Sequence, residues 1–214
     1  MKRREFSLGT AAALAATGLA LPAHAQKKPE EGADYLALDK RVPVEAPAGK
    51  VEVIEFFWYA CPHCNAFEPK LEAWIKKNPA DVVVKRVPVA FRDSFVPQQR
   101  LFYTLEAMGK LEEVHRKVFN AIHVDKLPLD KEDTISAWVE KQGVDKAKFA
   151  ELYNSFSVST KARRATQLQD AFKVQGVPAL GISGRWYTDG TLAGNMDRAL
   201  QVTDYLVAEA RKSR

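Results

Sequence analysis

From Val51 to Trp58 nearly every position is apolar, broken only by Glu52 and Glu55. A run this rich in β-branched and aromatic residues predicts a strand buried on both faces. The period then changes. Phe67, Leu71, Trp74 and Ile75 recur at helical spacing and form one apolar stripe, which Asn78-Pro79 ends. Asp81 to Val89 returns to strand character and closes at Pro88 and the turn-like Arg92-Asp93-Ser94. From Phe95 to Phe172 no strand pattern is visible. Helices are predicted instead over 97–109, 111–122, 131–142, 145–155 and 159–173, punctuated by Gly109, Pro128 and Gly143, with Asp130 and Asp145 as N-caps. Strand signals resume at Pro178–Ile182 and Arg185–Tyr187, with Ser183-Gly184 as the hairpin turn between them. A last amphipathic helix, Met196 to Ala210, carries Ala199, Val202, Leu206 and Val207 on its apolar side. Tyr35 to Leu38 predicts a first edge strand, and Pro43 to Gly49 a turn-rich connector.

The order is strand, helix, strand, a block of helices, two strands, helix. Without the block, a β-α-β…β-β-α unit remains. The expected organisation is a signal peptide at 1–25, one α/β unit built from 26–92 and 166–214, and an all-helical insertion at 93–165. The signal peptide is read from a basic start (Lys2, Arg3, Arg4), an Ala/Leu-rich stretch and Ala23-His24-Ala25, with cleavage after Ala25. Arg3-Arg4-Glu5-Phe6 also resembles a twin-arginine start, although Lys2 and Ser7 depart from it. Either route leads out of the cytoplasm, where disulfides persist. Residues 26–33 read as a flexible mature N-terminus.

Composition narrows the function. With 46% hydrophobic and 28% charged residues in 214, the chain is long enough for a substantial core. Of the net charge of +5, the first five residues carry +2, leaving a mildly basic domain without long Lys/Arg blocks. Nucleic acid is therefore not an expected partner.

The chain has two cysteines, Cys61 and Cys64, in the sequence CPHC directly after the first long strand. A structural staple closing so short a loop would contribute only about 2 kcal/mol. Zinc needs four ligands, and there is no third cysteine; His115 and His123 lie far along the chain, and haem attachment would need a histidine at position 65, which is Asn. No metal or cofactor is expected. Redox chemistry fits the pattern. Pro62 suits the first helical position, which would aim the Cys61 sulfur at the free N–H groups of the first turn and stabilise its thiolate. His63 can add charge or a hydrogen bond. Cys61 is then the attackable sulfur and Cys64 the more buried resolving partner. A reduced form more stable than the oxidised form at neutral pH would follow. Glu55 is the odd residue in the buried strand: either an ion-pair partner of Lys85 or Arg86, or a carboxylate relaying protons to Cys64.

EFFWYACPHC, a helix containing FEP, a helical insertion, then GVPAL before a hairpin and a C-terminal helix together resemble the DsbA family of periplasmic thiol:disulfide interchange proteins. The resemblance spans nearly the whole mature chain. It implies a thioredoxin-like fold with an inserted helical domain. It also implies a monomeric periplasmic oxidase that donates its Cys61–Cys64 disulfide to newly exported cysteine-containing proteins, and a quinone-linked membrane partner, DsbB, that reoxidises it. DsbA is itself the standard example of a low-pKa cysteine and a strongly oxidising couple, so the resemblance carries that expectation. By the same resemblance Pro178 is a cis-proline facing the cysteine pair, leaving the backbone of Val177 free to pair with an extended substrate. Glu55 matches the acidic residue of the family's E-F-F strand. Trp58-Tyr59-Ala60 departs somewhat from the family's usual lead-in. A periplasmic reductase or isomerase of the same fold is the alternative.

Overall fold

In the computed structural model, which describes residues 27–78 and 80–213, a mixed sheet is ordered β1-β5-β4-β2-β3. Its strands are β1 (Leu36–Ala37), β2 (Val51–Phe57), β3 (Val82–Pro88), β4 (Ala179–Ile182) and β5 (Trp186–Asp189). The central strand β2 runs parallel to β3, from Val51 opposite Val82 to Phe57 opposite Pro88, and antiparallel to β4. The signal peptide and its cleavage site lie outside the described residues.

All of β2 is buried, the two carboxylates included. Glu52 is satisfied locally: its Oε2 accepts the N–H groups of Glu45 (2.8 Å) and Ala46 (3.1 Å), tying the 45–47 turn to the sheet. Glu55 has no such local partner and belongs to the site below. On one face of the sheet, α1 (Pro62–Lys77) and α7 (Met196–Lys212) bury Val51, Val53, Leu180 and Ile182 against Phe67, Leu71, Val202 and Leu206. The other face takes Ile54, Phe56 and Val87, and the Phe172 ring packs at a tilt against Phe56, centroids 5.3 Å apart. Between β3 and β4 come α2 (Val96–Ala107), α3 (Leu111–His123), α4 (Glu132–Lys141), α5 (Lys146–Tyr153) and α6 (Phe156–Ala171).

Phe172 explains a glycine inside β4. A Cβ placed at Gly181 would overlap the Phe172 ring, which is 1% exposed. Gly181→Ala is therefore expected to destabilise the fold by about 1–3 kcal/mol through overpacking. Urea melts of the two proteins would show it, and equal midpoints would mean that the ring is free to shift. The hairpin turn lies where the sequence placed it: Ser183 and Gly184 hold φ of 53° and 63°, and Arg185 N–H donates to Ile182 O across them.

Two expectations change. Asp145 caps α5 by accepting from Lys148 N–H, but Asp130 caps nothing; α4 starts one residue later, from Lys131. Thr134 Oγ1 there donates to Pro128 O and Lys131 O, and Glu132 and Asp133 occupy the first turn. Residues 27–34 are docked, not free: Arg198 reaches Lys27 O at 2.7 Å and Asp34 Oδ1 at 3.3 Å. Pro69 sits inside α1, where its missing N–H leaves the carbonyl of Asn65 unclaimed. Arg116 of α3 fills the gap, donating to Asn65 O and Oδ1, both at 3.3 Å.

Candidate active site

Sheet register delivers the site. β2 ends at Phe57, and antiparallel β4 begins with Ala179 opposite Phe56, so the loop carrying Cys61 and the Val177–Pro178 peptide emerge at the same end. That peptide is cis. Cys61 is the N-cap of α1 with extended backbone, and Pro62 occupies its first turn. The Cys61 sulfur accepts from Cys64 N–H at 3.4 Å and lies 3.4 Å from Val177 O. Both cysteines are free thiols. Cys61 keeps 8% exposure and Cys64 none, so only the first sulfur can be reached from outside. Pro62 and His63 are exposed, Val177 is partly buried and Pro178 is buried.

The electrostatics separate the two sulfurs. The Cys61 thiol is lowered from 9.0 to about 6, foremost by the hydrogen bond from the Cys64 side chain, then by the N–H groups of Cys64 and His63, and least by the charge of His63. Burial opposes these causes without cancelling them. Cys64 is pushed well above the ordinary thiol range, first by burial and then by Cys61, with the charge of Glu55 adding to the shift. A thiolate at a helix start beside a protonated thiol is the arrangement that makes a disulfide easy to attack and to break.

Beneath the cysteines lies a buried charged cluster. Arg86, directly opposite Glu55 in the β2–β3 register, approaches Glu55 Oε2 at 3.3 Å and Glu68 Oε1 at 2.5 Å. The Glu55 contact is an ion pair without hydrogen-bond alignment. Lys85 turns to the opposite face and pairs with Glu45 at 2.7 Å. One guanidinium between two buried carboxylates cannot hold both ionised at ordinary pH. Glu68 keeps a lowered pKa despite its burial because His115 and Arg86 both favour its charge. Glu55 is pushed up to about 8 by burial and by the charge of Glu68, which together exceed the pull of Arg86. His115 brings Nε2 to 3.4 Å from Glu68 Oε1 and Nδ1 to 2.8 Å from Tyr59 Oη.

Glu68, His115 and His123 were not anticipated as neighbours of the cysteines. Glu68 had a signal: it follows Cys64 by four residues, on the same buried face of α1 as Phe67 and Leu71. The two histidines, remote in sequence, both reach Tyr59, at its hydroxyl and at its carbonyl.

A DsbA-like thioredoxin domain model matches residues 52–201. The chain belongs to the DsbA-like family. It is 43% identical over 206 residues to the thiol:disulfide interchange protein DsbA of Burkholderia cepacia, covering 96% of this chain and 94% of that one. It is 40% identical over 180 residues to DsbA of Pseudomonas aeruginosa, covering 84% and 85%. Among solved structures, P. aeruginosa DsbA matches with a TM-score of 0.80 at 40% identity, over 85% of this chain and 94% of that one. The oxidoreductase DsbA from Xylella fastidiosa matches with a TM-score of 0.80 at 30% identity, over 86% and 98%. The fold is thus the thioredoxin-like fold of DsbA, and the protein is a thiol:disulfide oxidoreductase acting by dithiol–disulfide exchange on cysteine-containing proteins.

Proposed function

We propose that the protein is a monomeric periplasmic oxidase that donates the Cys61–Cys64 disulfide to newly exported proteins and is reoxidised by a DsbB-like, quinone-linked membrane protein. A thioredoxin-like unit of residues 26–92 and 166–214 carries the chemistry, with 93–165 as the helical insertion and 1–25 as the removed signal. The boundary at 165/166 falls within α6, whose C-terminal end leads into Phe172 on the sheet. No cofactor and no nucleic acid enters the scheme.

The observation that supports the direction of transfer is the thiol asymmetry: a reachable Cys61 lowered to about 6 against a buried Cys64 pushed upward. A substrate thiolate attacks Cys61 Sγ, the Cys61–Cys64 bond breaks, and Cys64 leaves with the electron pair. Glu55, whose raised pKa keeps its proton near neutrality and whose charge acts on Cys64, supplies the proton that the departing Cys64 takes up in this scheme. A second substrate thiolate then attacks the substrate sulfur of the mixed disulfide. Cys61 departs as a stable thiolate, the substrate is oxidised, and the enzyme holds two reduced sulfurs. Val177 and Pro178 form the wall opposite Cys61, where an extended substrate backbone would lie.

The test is the redox state of the protein trapped by acid directly from the periplasm, together with stoichiometric oxidation of a reduced two-cysteine peptide. The oxidase reading expects a mostly oxidised protein and rapid transfer of one disulfide per molecule. A mostly reduced protein would replace it with the reductase or isomerase reading.

A further inference from the structure

The lead-in Trp58-Tyr59-Ala60 belongs to the strand-to-helix connection, yet the side chains that hydrogen-bond its Tyr59–Ala60 peptide come from the helical block. Tyr59 C=O and Ala60 N–H are the two edges of one peptide group, the last but one before Cys61. His123 of α3 meets the Tyr59 carbonyl through Nε2 at 2.8 Å, and Gln98 of α2 meets the Ala60 N–H through Oε1 at 3.1 Å. A carbonyl only accepts, so the His123 proton sits on Nε2. Gln98 is 4% exposed and is held in turn by donating from Nε2 to Leu129 O at 2.9 Å. On either side of this peptide the same block adds two further contacts. Trp58 stacks on Phe95, centroids 3.8 Å apart and planes 8° from parallel, and the Tyr59 hydroxyl bonds His115. Cys61 N–H closes the segment by donating to Trp58 O at 3.0 Å.

We propose that Gln98 and His123 are positioning residues for the disulfide exchange: they clamp the Tyr59–Ala60 peptide plane and thereby fix the direction in which Cys61 presents its sulfur to the start of α1. The physical reason is that hydrogen bonds from a helix N-terminus are directional and weaken steeply off axis. Of the sulfur's two contacts, the Cys64 N–H, donated at 3.4 Å, is the one that favours a thiolate, and rotating the preceding peptide plane turns the sulfur off the axis of that bond. Neither Gln98 nor His123 touches the reacting atoms in the described contacts; each acts through the backbone. The helical block is on this view part of the apparatus that sets the cysteine's reactivity, and the Trp58-Tyr59-Ala60 sequence is its attachment point.

The inference rests on the oxidoreductase reading, but its test does not depend on the direction of electron flow. Gln98→Leu and His123→Leu would be compared with the parent by ultraviolet titration of the Cys61 thiolate, equilibration with glutathione, and kcat and KM for peptide oxidation. Each variant is expected to move the thiolate titration upward by about one unit, equivalent to about tenfold in the equilibrium with glutathione, or about 30 mV. His123→Gln, which restores an N–H donor, is expected to recover most of the parental titration. Folded Leu variants with parental titration and potential would overturn the clamp, as would a folded His123→Gln that behaves like His123→Leu. If the Leu variants do not fold, hydrogen exchange of the Ala60 amide in the parent decides: protection upholds the clamp, and exchange at the rate of an open loop refutes it. A failure of the oxidase reading would appear differently, as a low parental potential with the variant shifts intact.

Discussion

Cys61→Ser is expected to abolish disulfide transfer, and Cys64→Ser to arrest it half-way with substrate attached. The expectation follows from access and leaving-group chemistry together. An incoming thiolate can reach Cys61, which is 8% exposed, but not Cys64, which is wholly buried. With serine at 61 there is no reachable sulfur and no disulfide to donate, so the rate should fall to the uncatalysed background. With serine at 64 the remaining Cys61 stays a stabilised thiolate, although it loses the Cys64 side-chain hydrogen bond that is the foremost cause of its lowered pKa. It can still join a substrate thiol under oxidising conditions, and the buried partner that would release the substrate back is gone. Non-reducing gels of each variant after exposure to oxidised glutathione and substrate would separate the cases. Adducts on Cys61→Ser instead of Cys64→Ser would invert the assignment of the two sulfurs.

The residues carrying these predictions were legible because they are local. C-P-H-C after a β-branched run specifies a strand, a turn, a proline at the first helical position and two sulfurs one turn apart, and each of these lies within ten residues of the next. The sheet was legible for the same reason: both faces of β2 are buried, so its pattern is an unbroken apolar run whose only interruptions, Glu52 and Glu55, both proved to have specific partners. What the pattern could not give is where distant side chains meet. Gln98, His115 and His123 look like ordinary helix residues in a block whose packing against the loop is set by tertiary contacts, and nothing in their spacing points to Tyr59. Asp130 failed as a cap because propensity alone does not fix the first helical residue, and Asp145, at an equally plausible position, succeeded. The partner of Glu55 was undecidable between Lys85 and Arg86 until the register placed Arg86 on its face of the sheet and sent Lys85 to the other.

The stability of the reduced protein relative to the oxidised one is expected to climb with pH and to cross it just above neutrality. A disulfide ordinarily stabilises a fold by restricting the unfolded chain, but a loop this short contributes only about 2 kcal/mol. The opposing contribution comes from Cys61, whose thiol falls from 9.0 to about 6 on folding. A lowered pKa stabilises the folded form above the folded value, reaches its full effect at the unfolded value, and is lost as pH falls through the folded one. At about 1.4 kcal/mol per pH unit, Cys61 favours the reduced fold by about 1.4 kcal/mol at pH 7 and about 4 kcal/mol at pH 9. The two contributions therefore balance between about pH 7 and 8, so the sequence-based expectation of a more stable reduced form holds only above that point. Cys64 bounds the window at the top. Its thiol is pushed upward on folding, so above the ordinary thiol value the unfolded chain ionises it and the reduced fold loses ground. Paired urea melts of oxidised and reduced protein at pH 5.5, 7 and 9 would trace the crossing. The oxidised form should be the more stable at pH 5.5 and the reduced form at pH 9. A difference that does not change with pH would mean that Cys61 is not a stabilised thiolate, and the basis for easy release of the donated disulfide would go with it.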